Sequence, residues 1–175
     1  MITCEEIYDL HTTGALESAL CEAYREIPLD SRNSMRKNDT PLHMACAFAD
    51  ENAVRILLER GADVNVRNDD GDTPLCVLAK RKCCGKETTI AGIAGLLVSK
   101  EARVPRSGKN TTALIEAVGN RHFLMADILL MSGCRIDSTN SNGNNVLHVI
   151  CQSAGDIAYD IKRTKERIAD FSERW

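Results

Sequence analysis

Apolar residues recur every three or four positions in short segments of this chain, and polar turns separate these segments. The clearest example runs from residue 38 to residue 65. The apolar positions of its two stripes are Leu42, Ala45 and Cys46, followed by Val54, Ile56, Leu57 and Leu58. Because this spacing places apolar side chains on one face of an α-helix, the pattern predicts two short helices that pack against each other.

Local signals mark where these two helices begin and end. Thr40 can cap the first helix, and Pro41 stands in its first turn, where a missing N–H costs nothing. Gly61 supplies the left-handed turn that ends the second helix. The segment is therefore typical of a complete helix–turn–helix unit.

The same sequence pattern recurs three times downstream. Its four copies contain the tetrapeptides TPLH, TPLC, TALI and NVLH. Their leucines are Leu42, Leu75, Leu114 and Leu147, with spacings of 33, 39 and 33 residues. Fourteen residues before the next leucine stand Gly61, Lys100 and Gly133, and four residues before each leucine stand Asn38, Gly71, Asn110 and Gly143. Asparagine tolerates a positive φ better than other non-glycine residues, so the turn is kept. Two landmarks in one register indicate a tandem repeat.

These landmarks resemble the ankyrin repeat family, and the resemblance covers about residues 36 to 154. It implies an all-α fold, an ankyrin-repeat solenoid of stacked helix-turn-helix units with projecting β-turn fingers. The motif is specific for this fold and indicates almost nothing about function.

The repeat register divides the chain into five segments. The predicted segments are 1–35 as an N-terminal capping helix pair and loop, 36–66 as repeat 1, 67–105 as repeat 2 with a six-residue insertion, 106–138 as repeat 3, and 139–175 as repeat 4 with a long C-terminal helix. In the first segment, apolar positions recur at helical spacing from Ile7 to Ala23 and are interrupted at Gly14. We interpret residues 4–25 as a cap, because an array needs a polar-faced end unit.

The insertion in repeat 2 lies within residues 80–89, KRKCCGKETT. It is interpreted as a lengthened turn between two helices, since loop closure costs only about 0.6 kcal/mol per doubling of length. A basic contact loop is an alternative, because the segment carries Lys80, Arg81, Lys82 and Lys86. A zinc or redox site at Cys83 and Cys84 is disfavoured, since adjacent cysteines lack the usual zinc-ligand spacing.

The last segment diverges from the repeat pattern after Gly155. Its apolar stripe is formed by Ile157, Ile161, Thr164, Ile168, Phe171 and Trp175. This stripe predicts a helix of about twenty residues that closes the array. A cap should end on polar residues, so the two aromatic residues either fold back on repeat 3, meet another chain, or precede further repeats.

Composition limits the classes of function. The formal charge of -3 gives no global electrostatic case for nucleic acid or an anionic membrane. The longest apolar run, residues 90–98, is far shorter than the roughly 20 residues that span a bilayer. The first residues include two acidic side chains where a signal peptide needs a basic region followed by an apolar one. We therefore expect a cytoplasmic location, with a nuclear location as the alternative.

Without a secretion signal, the eight cysteines are expected to be reduced. Cys46 and Cys151 stand at repeat positions where the family has a small buried residue.

The sequence lacks the motifs of common enzyme classes. No Gly-rich phosphate loop, no G-x-S-x-G and no histidine pair at zinc spacing occurs. The resemblance gives His43 and His148 structural roles in their tetrapeptides, and His122 is expected on the surface. We therefore expect no enzymatic activity, no cofactor and no metal.

The resemblance implies a concave face of fingers and inner helices that binds another protein. Its predicted partner-binding residues are Arg36, Lys37, Asp39, Phe48, Arg67, Asp69, Asp70, Asp72, Lys80, Arg81, Lys109, Thr111, Asn120, Asn142, Asn144 and Gln152. The charge of the fingers runs basic, acidic, basic and neutral, which favours a protein of mixed charge over a polyanion. Phe48 is the predicted anchor, because aromatic hot spots dominate such interfaces.

Two functions of different kinds follow from this reading. The first is a non-enzymatic adaptor, scaffold or inhibitor that binds a partner protein through the concave face. The alternative is an architectural module that self-associates, or continues an array, through residues 157–175.

Overall fold

A computed structural model describes residues 2–82, 85–102, 112–137, 139–140 and 142–153. In this part of the chain the α-helices are α1 (Cys4–Thr13), α2 (Glu17–Glu26), α3 (Pro41–Phe48), α4 (Glu51–Glu59), α5 (Pro74–Ala79), α6 (Glu87–Ser99), α7 (Thr112–Gly119), α8 (Phe123–Met131) and α9 (Val146–Ser153). A short 3-10 helix spans Ser34–Arg36. The predicted all-α class is confirmed.

The helices form two layers that extend in a line. Helices α1, α3, α5, α7 and α9 pack successively against one another in an inner layer, and α2, α4, α6 and α8 do so in an outer layer. Each inner helix from α1 to α7 also contacts the outer helix that follows it in the chain. This is the arrangement of a solenoid, because each helical hairpin buries the flank of its neighbours.

The repeating leucines lie where the layers meet. Leu42, Leu75 and Leu114 are at most 2% exposed and belong to one continuous apolar core. Leu147 is 43% exposed, so the fourth anchor is not buried as the first three are. The core is contiguous along the array instead of converging on a single centre.

The inner helices begin as the sequence predicts. Pro41 and Pro74 occupy the first turns of α3 and α5. Thr73 caps α5, because its hydroxyl oxygen accepts from the backbone N–H of Cys76 at 3.4 Å. At the start of α3, the Thr40 hydroxyl and the His43 Nδ1 lie 2.8 Å apart. His43 also bonds through Nε2 to the carbonyl oxygen of Asp72 at 3.0 Å, which confirms that it ties neighbouring loops together.

The N-terminal segment forms the predicted helix pair. The turn between α1 and α2 passes through Gly14 at φ 71°. The start of α1 carries a capping box that sequence reasoning missed, in which the Thr3 hydroxyl accepts from the Glu6 backbone and the Glu6 carboxylate accepts from the Thr3 N–H at 2.8 Å. Whether the pair acts as a cap remains a prediction.

Left-handed turns follow the repeat register with one exception. Asn38, Gly71 and Gly143 have φ values of 56°, 77° and 75°. In repeat 2, however, Lys100 does not take the place of the terminating glycine, since its φ is −96° and Glu101 adopts the positive φ of 62° instead. The left-handed turn therefore lies one residue after the glycine position of the repeat register, because α6 ends one position later than the other outer helices do.

Part of the segment 80–89 in repeat 2 is helical. Helix α6 begins at Glu87, so the last three residues of this segment belong to the helix and not to a lengthened turn. Cys83 and Cys84 lie outside the described residues, so the structure does not test the zinc or redox alternative.

The predicted helix at residues 157–175 also lies outside the described residues, so its self-association stays untested. Among the helices that the structure describes, none is long and apolar enough to cross a membrane.

Four of the six cysteines in the described part of the chain are buried. Cys4, Cys46, Cys76 and Cys134 are buried free thiols, and Cys21 is half-buried. Burial raises the pKa of Cys46 far above its ordinary value and raises the pKa of Cys134 to about 11. The prediction for Cys151 was wrong, since this residue is exposed on α9.

Candidate protein-binding face

Two fingers project side by side from the first two repeats. The first finger, residues 32–40, closes through a bridge in which the Asn33 N–H donates to the Asp39 carbonyl at 2.8 Å. The second finger, residues 65–73, closes through a matching bond from the Asn68 N–H to the Asp72 carbonyl at 3.1 Å. Both closures are local, so each finger is set by its own sequence.

Direct hydrogen bonds hold the two fingers together. The Asp69 N–H donates to the Lys37 carbonyl at 2.9 Å, and the Asn38 side chain donates to the Asp69 carboxylate at 2.9 Å. The Arg32 guanidinium donates to the carbonyl of Arg67 at 2.9 Å. Lys37 and Asp70 form an exposed ion pair. Because these bonds join neighbouring repeats, the fingers present one continuous edge.

Two predicted contact residues in these fingers are buried. The Asp39 carboxylate accepts from the Asn68 side chain at 2.8 Å. Asp72 pairs with Lys80 at 2.5 Å, and its carbonyl is the one that His43 bonds. These two aspartates stabilise the fingers from inside. Arg36, Arg67, Asp69 and Asp70 are exposed at the finger edge, and Lys80 is exposed at the end of α5.

An aromatic strip lies beside the first finger. Phe48, at the end of α3, stacks on the ring of His11 with centroids 4.0 Å apart and planes 8° from parallel. Tyr8, on α1, contacts the same Phe48 ring at a centroid distance of 5.7 Å. The Arg36 guanidinium lies 4.8 Å above the Tyr8 ring. Phe48 and Tyr8 are both half-buried, so part of each ring faces solvent.

Sequence reasoning missed Tyr8 because it weighed α1 only as a cap. A signal was present, since Tyr8 directly follows the buried Ile7 and lies at the edge of the core, where part of its ring faces solvent. Its contact with Phe48 required the packing of α1 on α3, which no local pattern reveals.

Two further contact residues bridge successive repeats at the other end of the inner helices. The Arg81 guanidinium donates to the carbonyl of Ala47, at the end of α3. The Asn120 side chain donates to the carbonyl of Ala79, at the end of α5, at 3.1 Å. Both side chains are half-buried and lie on the previous repeat. They shape the face by fixing the distance between inner helices.

The surface position expected for His122 was wrong, since this residue is fully buried. Its backbone N–H donates to the Ala117 carbonyl at 2.7 Å, because Arg121 at φ 66° turns the chain back under the helix. Its Nε2 donates to the carbonyl of Arg81 at 2.7 Å, while Nδ1 has no hydrogen-bond partner among the described residues. His148, in contrast, is exposed and bonds Asn145 in its own turn at 2.7 Å.

The remaining predicted contacts lie in later repeats. Asn142 is exposed and Asn144 half-buried in a finger whose turn is held by the Asn140 side chain, 3.0 Å from both of their backbone N–H groups. Gln152 lies in α9, and nothing is described of its side chain. Lys109 and Thr111 lie outside the described residues.

The ordering of charge along the fingers takes a different form in the structure. Lys37 of the first finger and Asp70 of the second form an ion pair. Their charges therefore partly compensate each other across the edge.

These features define a class: the chain is a helical repeat protein, whose fingers and inner helices form one elongated face. The family description "Ankyrin repeat" matches residues 37–69, and the chain is an ankyrin-repeat protein, as its sequence pattern predicts.

Several relatives share this similarity. The ankyrin repeat-containing protein P1E11.10 of Schizosaccharomyces pombe is 34% identical over 68 residues, which cover 35% of this chain and 33% of the relative. Ankyrin repeat and SOCS box protein 16 of Mus musculus is 31% identical over 119 residues, covering 67% of this chain and 26% of the relative. Phosphocholine transferase AnkX of Legionella pneumophila is 29% identical over 112 residues, covering 62% of this chain and 11% of the relative.

This chain spans no more than a third of the length of each of these relatives. Ankyrin repeats generally mediate protein–protein interaction, and ankyrin-repeat proteins are typically non-enzymatic interaction modules.

Proposed function

We propose that this chain is a non-enzymatic protein-interaction module, an adaptor, scaffold or inhibitor, that binds a partner protein through the face formed by its fingers and inner helices. The observation that carries this proposal is the continuity of the face at its N-terminal half. The hydrogen bonds between the Lys37 and Asp69 backbones and between Asn38 and Asp69 fix two fingers beside each other. A preorganised surface loses less entropy on binding than a mobile one.

The exposed members of the face would provide the contacts. Arg36 is exposed above the Tyr8 ring, and Phe48 presents part of its ring beside it. Aromatic and arginine side chains are the residues most enriched among interface hot spots. Asp39 and Asp72 would support the fingers from inside.

The free thiols are compatible with a reducing compartment and support the cytoplasmic location that we propose. The six cysteines in the described part of the chain are free. Proteins of the cytosol and nucleus keep their thiols reduced.

Partner capture from native extract, followed by titration of the purified partner in a calorimeter, tests the proposal. The test variant is Arg36→Glu with Lys37→Ala and Asp70→Ala, which removes the ion pair as a unit and reverses the exposed arginine. Binding should weaken by about tenfold or more, because the rim charge changes sign and the cation above Tyr8 is lost. The melting temperature should stay within about 2 °C of that of the wild type, since all three residues are exposed.

The matched control places equivalent charge changes on the outer helices or directly after them. Its substitutions are Arg25→Glu, Glu59→Ala and Lys100→Ala, all at exposed positions. This control should bind the partner as the wild type does. Equal weakening by both variants, or unchanged binding by the test variant, would contradict a role for the finger face.

Phe48 and Asp72 are unsuitable for the first test. Phe48→Ala would remove the ring on which His11 stacks, and a change at Asp72 would leave Lys80 without its partner. Loss of binding would then be mixed with loss of folding.

A further inference from the structure

A groove lies between the N-terminal helix pair and the first repeat. We call it the seam groove and define it by Arg36, Tyr8, Phe48, Asp50 and Glu17. Its first part is the aromatic strip, in which Arg36 contacts Tyr8 and Tyr8 contacts Phe48. Its second part is an open cleft of about 480 Å³, which Phe48 and His11 line together with Glu17, Asp50, Asn52 and Lys86.

The two parts of the seam groove form one continuous surface. Phe48 belongs to both, since it contacts Tyr8 on α1 and also lines the cleft. The 5.7 Å between the two ring centroids is close to the roughly 7 Å that separates alternate side chains of an extended chain. An extended peptide segment can therefore place successive same-side residues along the strip and into the cleft.

The charges at the two ends of the seam groove are opposite. One end carries Arg36, whose neighbour is the neutral Tyr8 ring. The other carries Glu17, which accepts from the neutral amide of Asn52, and Asp50, whose carboxylate accepts from the Ala53 N–H at 2.9 Å. In the described structure neither of these two carboxylates contacts a lysine or an arginine.

Two further charges border the cleft. Glu51 pairs with Arg55 at 2.6 Å, so its charge is already compensated. Lys86 lines the cleft from the insertion of repeat 2 and offsets part of the negative charge of Glu17 and Asp50.

His11 does not neutralise Asp50 at neutral pH. Its Nε2 lies 2.9 Å from the Tyr24 hydroxyl and 3.9 Å from the Asp50 carboxylate. Burial lowers the pKa of His11, more than the nearby Asp50 raises it. The imidazole is thus mainly uncharged at pH 7 and supplies little positive charge to the Asp50 carboxylate.

We propose that the seam groove binds an extended segment of the partner protein that places a lysine or arginine side chain in the cleft and an acidic side chain beside Arg36. This inference rests on the proposed function and adds the chemistry and the polarity of the bound segment. The aliphatic stem of the basic residue packs on Phe48, and its charged end meets Glu17 and Asp50. Small apolar residues between the two charges cover Tyr8 and Phe48.

A designed peptide tests the groove without knowledge of the natural partner. The probe is the acetylated amide of Asp-Val-Gly-Val-Arg, titrated into the full chain while the ring signals of Tyr8, Phe48 and His11 are followed by NMR. Saturable shifts are expected at all three rings. A peptide with glutamine in place of arginine should bind about fivefold or more weakly, since it lacks the charge that Glu17 and Asp50 attract.

Three protein variants complete a double-mutant cycle with the peptides. Glu17→Gln with Asp50→Asn keeps the hydrogen-bonding capacity of both side chains, including the helix cap at Ala53, and should remove the preference for arginine over glutamine. Arg36→Gln should weaken binding of the probe but keep that preference. Lys86→Gln should strengthen binding by about twofold, because it removes a like charge. The matched control, Glu22→Gln on the exposed face of α2, should behave as the wild type.

The result separates this inference from the proposed function. Absence of saturable shifts, or an arginine preference that persists in the Glu17→Gln and Asp50→Asn double variant, would overturn the seam groove as a binding site. A natural partner that depends on Arg36, Lys37 and Asp70 but not on Glu17 and Asp50 would leave the proposed function standing. Probe binding at the seam groove with no loss of partner capture in the finger variant would contradict both the proposed function and the contact of the natural partner with Arg36.

Discussion

Several residues of this array adopt left-handed backbone conformations. Most of these positions hold glycine or asparagine, the residues expected there. Gly61 and Gly133 end their outer helices at φ 87° and 84°. In repeat 2 the equivalent turn is made by Glu101 at φ 62°, a residue type that pays a steric penalty there. The penalty is tolerated because hydrogen bonds of neighbouring residues hold the turn in place. In one of them, the Ala102 N–H donates to the Leu97 carbonyl at 3.0 Å.

Glycine at position 101 is therefore expected to stabilise the protein. Glu101→Gly should raise the free energy of unfolding by about 0.5–1 kcal/mol, because it relieves the left-handed strain at an exposed site. Urea denaturation followed by circular dichroism measures the change.

Lys100→Gly is the informative control for this prediction. The repeat register would favour glycine at position 100, but the φ of Lys100 is −96°. Glycine there should lower the free energy of unfolding by about 0.5–1 kcal/mol, because it only adds freedom to the unfolded chain. The opposite order of the two variants would mean that the turn lies at residue 100 after all.

Successive repeats are also joined at the scale of their helices. The last carbonyls of an inner helix lack partners within that helix. Here a side chain from the next repeat supplies one: Arg81 donates to Ala47, and Asn120 donates to Ala79. These bonds fix the inner helices relative to each other along the face.

Removal of the Asn120 bond tests this account of the helix ends. Asn120→Ala should lower the free energy of unfolding by about 1–2 kcal/mol, because the carbonyl of Ala79 loses its donor in a partly buried site. Asn142→Ala, at an exposed finger position, should change it by less than about 0.5 kcal/mol. Equal effects of the two variants in thermal or urea denaturation would argue against the bridging role.

At the scale of the whole molecule, histidines lie where successive helical pairs meet, and the pKa of two of these histidines is lowered. His11 lies between the N-terminal pair and repeat 1, near Asp50, Lys86 and Tyr24, and His43 joins repeat 1 to the Asp72 carbonyl of repeat 2. In both cases burial is the largest effect and lowers the pKa. The folded protein therefore binds protons at these sites less readily than the unfolded chain does.

Stability should consequently fall as the solution is acidified from about pH 7.5 to about pH 5.5. The contribution of each histidine is complete above its unfolded pKa of 6.5 and is lost as the pH drops below that value, since the unfolded chain takes up the protons first. Urea midpoints measured across this range provide the test.

Variants assign the pH dependence to its source. His11→Gln should reduce the slope of stability against pH, because it removes one of the two histidines whose pKa is lowered in the folded protein. Asn142→Ala, at an exposed position and without change to any titratable group, should leave the slope as in the wild type. A wild-type stability that rises on acidification would contradict the sign of both shifts.

The sequence alone determined the features that depend on neighbours within a few residues. The starts of α3 and α5 at Pro41 and Pro74 could be read directly, as could the positive φ of Asn38 and Gly71. Steric limits on φ and the local bonds of a helix start act within one turn of the chain. The order of the helical hairpins followed from the period of these signals.

Tertiary structure decided which polar residues are inside and which surfaces are joined. Asp72 and His122 are buried where another repeat meets them, since His43 bonds the Asp72 carbonyl and His122 donates to the Arg81 carbonyl. Tyr8 joins Phe48 only because α1 packs on α3, which brings together residues 40 positions apart. Such contacts depend on the spacing between stacked hairpins, a distance that no periodicity along one chain segment contains.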